Sequence, residues 1–165
     1  MRRATRTRLV VLLGVAVIVV AAGWQWRRDM HDAPGALLDL DAATVHDIAL
    51  QFPPAATQHF KRHDDGHWWT AGDRPARADD GRLGELADVA SAQVLQWRPV
   101  QDFTLSKIGL APPMAVLELD GQRVAFGETS VTGPQRYVQV GNRIALIPAR
   151  FTPRPVQGKT MSLGL

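Results

Sequence analysis

The sequence has no cysteine, which excludes a disulfide framework, a thiolate metal site, a cysteine nucleophile and an acyl-cysteine anchor. Lysine is scarce: sixteen arginines stand against three lysines, a bias that suggests a GC-rich bacterial genome. Ser91, Ser106, Ser130 and Ser162 all lack the Gly-x-Ser-x-Gly surroundings of a nucleophile elbow. There is no glycine-rich phosphate loop, and Gly121, Gly127 and Gly133 read as hairpin punctuation. Asp79, Asp80, Glu118 and Asp120 sit where helix capping and turn chemistry account for them. No motif calls for a cofactor. The chain beyond its first thirty residues has no basic stripe interleaved with aromatics, so nucleic acid is not an expected partner.

What is present is an ordinary globular balance. The chain has 165 residues, 45% apolar and 21% charged, enough for one domain with an appendage. Its basic pI of about 9.9 is a terminal property. Residues 1–28 hold six arginines and no acid, and the remainder holds 13 basic and 16 acidic groups, a net charge of −3.

Leu9 to Trp24 contains no charged or amide side chain, and ten of its sixteen residues are Leu, Val or Ile. At about −0.3 to −0.6 kcal/mol each near the middle of a membrane helix, they sum to about −3 to −6 kcal/mol. The run covers about 24 Å of a hydrocarbon layer about 30 Å thick, and long arginine side chains can close the gap. Residues 9–26 are therefore predicted to be a transmembrane anchor. Arg8 and Arg27 would reach the headgroups, and Trp24 and Trp26 would sit at one interface. Four arginines before the span against two after it put residues 1–8 in the cytoplasm and residues 29–165 in the periplasm, across a bacterial inner membrane. The absence of cysteine fits an oxidising compartment. The alternative is a cleaved signal peptide, with small residues at Ala21, Ala22 and Gly23 supplying a site.

Residues 27–37 read as a linker, 38–151 as a folded domain and 152–165 as an extended, partly mobile tail. Val45 to Phe52 alternates apolar and polar residues and stops at Pro53-Pro54, the signature of a strand. Two further strands, Thr57 to Arg62 and His67 to Thr70, flank the turn Asp64-Asp65-Gly66. The period then changes. Leu83, Leu86, Ala87, Ala90 and Val94 form one helical stripe, with Asp79 or Asp80 as its cap. Val94 to Arg98 is a strand ended by Pro99, and Asp102–Ile108 is a short helical turn. Two hairpins follow, turning at Asp120-Gly121 and Gly141-Asn142, the first with strands ending at Phe126. The predicted class is α+β: an N-terminal transmembrane helix, then antiparallel hairpins in a meander with one principal packed helix.

The landmarks run in a distinctive order. Val45-His46-Asp47-Ile48 is followed by Trp68-Trp69, a leucine/alanine helix, Gly109-Leu110-x-Pro112, Gly127 and Tyr137-Val138. Over about residues 38–151 this resembles the bacterial family catalogued as domain of unknown function 4340. The resemblance implies a membrane-anchored, extracytoplasmic protein, and some relatives are encoded beside ABC-transporter components of a kind linked to gliding motility. Many relatives carry a second copy of the module, for which this chain has no room.

Two constellations are candidate sites. His59, His63 and His67 are residue types that bind zinc or copper, and His63 and His67 would face each other across the turn. Alternation around Phe60 instead places His59, Lys61 and His63 on a solvated hairpin edge, so no metal site is expected. Trp68 and Trp69, adjacent on a strand, must point to opposite faces: one into the core and the other toward a partner. The expected function is a non-catalytic periplasmic interaction or accessory module. The lipid bilayer would be its partner through residues 9–26, alongside an envelope protein partner drawn from an ABC-type transporter or envelope assembly. The alternative is a periplasmic metal- or ligand-binding protein using the His59–His67 hairpin or the Trp68/Trp69 face.

Overall fold

The computed structural model describes residues 14–24 and 35–156, and the chain divides into two units between Ala33 and Pro34. In the first unit residues 14–24 are helical and exposed, and Val15, Val17, Ile18, Val19, Val20 and Trp24 present apolar side chains. No helix among the described residues is long and apolar enough to cross a membrane. The expected anchor at 9–26 falls only partly within them, and Arg8, Trp26 and Arg27 lie outside.

The second unit is α+β and is built on one eight-stranded antiparallel sheet. Its strands are β1 (Asp47–Gln51), β2 (Gln58–Arg62), β3 (Trp68–Thr70), β4 (Gln96–Pro99), β5 (Ala115–Leu119), β6 (Gln122–Thr129), β7 (Gln135–Val140) and β8 (Arg143–Pro148). Their order across the sheet is β3-β2-β1-β5-β6-β7-β8-β4. The meander β1–β3 and the meander β5–β8 are fused into this one sheet where β1 pairs with β5, and β4 closes the far edge against β8.

Period-two alternation sends Ile48, Leu50, Phe60, Leu117, Leu119, Val124, Phe126 and Ile147 to one face. Helix α1 (Asp80–Ala87) and the 3-10 turn Asp88–Ser91 cover that face with Leu83, Leu86, Ala87, Val89 and Ala90. Asp79 caps α1, its carboxylate accepting from the Arg82 amide at 3.1 Å. Burying a leucine fully contributes about 1.5–3 kcal/mol, which outweighs the weak intrinsic helicity of a segment containing Gly81 and Gly84.

The opposite face is covered over only half its width. Residues 100–113 fold back as two 3-10 turns, Val100–Asp102 and Leu105–Ile108, and pack Leu110, Phe103, Leu105 and Ile108 on Ala125, Tyr137 and Ile144. Two glycines make this possible. Gly109 (φ 68°) ends the second turn in the left-handed region. Gly127 lies so close beneath it that any Cβ would strike the Ile108 carbonyl oxygen. The landmarks Gly109-Leu110 and Gly127 are thus two halves of one packing contact.

Two polar clamps tie strands together. Asp120, at the β5–β6 turn, accepts through Oδ1 from the His46 and Asp47 amides at 3.0 and 2.8 Å, fastening the start of β1. Arg136 on β7 reaches over the irregular end of β6, donating to the Gly127 carbonyl at 2.6 Å and to Thr129 Oγ1 at 3.2 Å. Partial burial pushes its pKa below the usual arginine value.

Several boundaries differ from the sequence expectation. β6 runs through Gly127 to Thr129 because the irregularity between Phe126 and Thr129 absorbs the glycine within the strand. The domain begins at Gly35, since Leu37 and Leu38 are already core residues and bond to Ala92 and Ala90. The tail is extended through residue 156, but Pro153 and Val156 are buried against the domain. β4 starts at Gln96 and not at Val94, because the chain bends at Leu95, which is 46% exposed, while Trp97 packs against the core.

Two glycine substitutions should move stability in opposite directions. Gly127→Ala is expected to cost about 1–3 kcal/mol by overpacking. Gly84→Ala, whose added methyl meets nothing within 4 Å, should gain about 0.5–1 kcal/mol. Urea midpoints of the two variants against the parent chain provide the check.

Candidate functional site

The β2–β3 hairpin separates the two tryptophans as strand geometry demands. Trp68 is buried in the core, while Trp69 lies half-buried on the other face. There it stacks on His63, with ring centroids 5.6 Å apart and planes 25° apart. Its indole Nε1 is buried and has no hydrogen-bond partner among the described residues.

His67 follows a different course. Its Nδ1 lies 2.8 Å from Asp80 Oδ2 and 2.6 Å from Arg77 Nη2, and Arg77 Nη2 also donates to Asp80 Oδ2 at 2.8 Å. These contacts to Nδ1 are alternatives. A neutral ring protonated on Nε2 accepts from Arg77, whereas a ring protonated on Nδ1 donates to Asp80. The other carboxylate oxygen of Asp80 accepts from the Trp68 amide at 2.8 Å. That bond first, and Arg77 second, hold the Asp80 carboxyl far below the usual carboxylate range; burial opposes them, and His67 adds a contribution smaller than that opposition. One aspartate therefore joins the first turn of α1 to the outer edge of β3.

The edge is sealed along its length. The Thr70 amide donates to Ala76 O and the Ala78 amide to Trp68 O, both at 2.9 Å, so residues 76–80 consume the outward groups of β3. The sequence shows Asp79 and Asp80 as interchangeable caps; only one is needed. The surplus acid was the available signal that the other binds elsewhere.

His59 projects from the middle of β2, exposed, beside Lys61, whose Nζ lies 3.4 Å from Asp47 Oδ1. His59, His63 and His67 thus make three different sets of contacts. No group of three or more metal-ligating side chains occurs among the described residues.

The half of the outer sheet face that residues 100–113 leave open, over β5, β1 and β2, forms a shallow depression. His46, Asp47, Ala49, His59, Lys61 and Glu118 line it, with small Ala49 allowing the dip. Its ionisable groups lie around a broad rim. A second groove, about 300 Å³, runs between α1 and residues 150–154, where Arg82, Arg150 and Arg154 alternate with Glu85 and Asp88 above Leu86 and Phe151. The first surface combines a sheet floor, the exposed opposite charges of Lys61 and Asp47, and the half-buried indole of Trp69 beside Lys61. That chemistry suits contact with another macromolecule. Compared with protein families, curated proteins and solved structures, the chain matches none.

Asp80 makes the edge seal sensitive to acid. Its depressed folded-state pKa means that its stabilisation is complete above the unfolded value of about 3.9 and is lost as pH falls further. The stability gap between the parent and Asp80→Asn should be constant from neutral pH to about 5 and should narrow below about 4. Urea unfolding across that range checks it, and a gap unchanged at the acid end would contradict the assignment.

Proposed function

We propose that this chain is a single-pass bacterial inner-membrane protein that displays a non-catalytic interaction domain in the periplasm. Its protein partner would be held against the open outer face of β5, β1, β2 and β3. The observation that carries the reading is the asymmetry of the sheet: one face is packed under α1, the 3-10 turn Asp88–Ser91 and the segments around Leu37 and Val156, and the other is covered by residues 100–113 over only half its strands. The uncovered half carries Lys61, Asp47, Glu118 and His59 around a shallow depression, and Trp69, stacked on His63, is paired with Lys61 across the hairpin.

Asp80 and Arg136 are both engaged in structural bonds, to the Trp68 amide and the Gly127 carbonyl. The anchor rests on the apolar run 9–24 and the arginines around it. Tethering holds the domain in a thin layer beside the membrane and raises its effective concentration for neighbouring complexes. The resemblance of residues 38–151 to the domain of unknown function 4340 family supports a partner drawn from an ABC-type transporter or other envelope assembly.

Site-specific photo-crosslinking of the full chain in its native membrane tests this. A photoreactive residue at Lys61 or His59 should give a discrete adduct with an envelope protein, while one at Val131, a fully exposed loop tip, should not. Equal adducts from all three positions, or adducts from none, would overturn the reading.

A further inference from the structure

Residues 35–156 hold a single sulfur atom. Met114 is their sole methionine, and the sequence has no cysteine. An oxidant that reacts at sulfur therefore has one target in the folded unit. The Met114 amide donates to Phe126 O at 2.9 Å, which fixes the residue beside the irregular end of β6, and Met114 is 52% exposed.

The neighbour of that sulfur is a cation short of acceptors. Arg136 Nη1 donates to Gly127 O at 2.6 Å and to Met114 Sδ at 3.6 Å. Its Nη2 donates to Thr129 Oγ1 at 3.2 Å, and its Nε is buried without a partner among the described residues. No carboxylate among them forms an ion pair with this guanidinium. A cation withdrawn from water is ordinarily answered by an acid. Here the acceptors are a carbonyl, a hydroxyl and a thioether, and the thioether is the weak one.

Oxidation replaces that weak acceptor with a strong one. Sδ gives a lone pair to one oxygen of a peroxide, and the O–O bond breaks. The departing hydroxide takes the proton of the transferred oxygen and leaves as water, so sulfur loses two electrons and the peroxide gains them. The sulfoxide oxygen lies one bond beyond sulfur, and the unbranched methionine side chain can swing it to the guanidinium. A weak N–H···S contact becomes an N–H···O bond from an ionised donor, about twice as strong as one between neutral groups. In a closed core the added oxygen would disrupt packing. An exposed Met114 escapes that cost.

We propose that Met114 is an oxidation site that takes oxygen from a peroxide, and that Arg136 captures the sulfoxide and tightens its clamp on the end of β6. Oxidation then stiffens this corner of the sheet instead of loosening it. The loop from Ser130 to Gln135, closed by the Ser130 amide donating to Gln135 O at 2.7 Å, leads from Thr129 to Arg136 and is held more firmly at both ends.

The test uses the full-length chain in neutral detergent with Met30→Leu and Met161→Leu, so that Met1 and Met114 are its only sulfurs. After treatment with hydrogen peroxide, peptide mass spectrometry should find one added oxygen on Met114. The urea midpoint of the oxidised chain should lie above that of the untreated chain, and hydrogen exchange at the Ser130 amide should slow severalfold. With Arg136→Leu the same oxidation should leave the midpoint unchanged or lower it, and with Met114→Leu peroxide should not move it. An oxidised midpoint at or below the untreated one, or an equal rise with and without Arg136, overturns the capture. A Met114 left intact while Met1 is oxidised overturns the site. The side-chain N–H resonances of Arg136 give a reading independent of whether Arg136→Leu folds: oxidation should shift them, and unmoved resonances overturn the capture.

Discussion

The pairing of β1 with β5 is the contact on which the rest of the domain depends. It sets Ile48 opposite Leu119 and Leu50 opposite Leu117, which places four fully buried side chains at the middle of the sheet beneath α1. Without that seam β1–β3 would be a small meander with its edge exposed, and β5–β8 would be another. Joined, they form a surface wide enough for one short helix to cover. The Asp120 carboxylate, bonded to two amides at the start of β1, holds the seam at the end where the chain turns.

The same pairing creates the asymmetry between the two faces of the sheet. Once the meanders share one sheet, residues 100–113 cover the outer face of β6, β7 and β8 only. The β1–β2–β5 part of that face stays open, and its rim carries the hairpin with Trp69 and His63. The groups that seal the nearby edge, Asp80, Arg77 and His67, hold the hairpin in place from behind. A rigid, half-covered sheet offers a broad surface at little conformational cost, which is what a recognition module requires.

Much of this was legible locally. Asp64-Asp65-Gly66, Asp120-Gly121 and Gly141-Asn142 each turn a hairpin as their chemistry requires, and the stripe Leu83, Leu86, Ala87, Ala90 is the buried side of the helical segment. The split of Trp68 inward from Trp69 outward follows from the period of two. What was not legible depends on distant partners. Strand order cannot be read from alternation, so the fused sheet and the placement of β4 beyond β8 were hidden. Asp80 looked like a helix cap because its true partner, the Trp68 amide, lies twelve residues away. Arg136 gave no sign that it would lie over the end of β6, since its partners Gly127 and Thr129 become neighbours only through the strand pairing.

The account stands or falls on the domain lying across a membrane from the chain's arginine-rich beginning. The most direct measurement is the reactivity of a single cysteine at Val131, a fully exposed position, toward a membrane-impermeant maleimide in bacteria whose outer membrane alone has been opened. The account predicts complete labelling with the inner membrane intact. Labelling only after the inner membrane is broken would place the domain in the cytoplasm and contradict it.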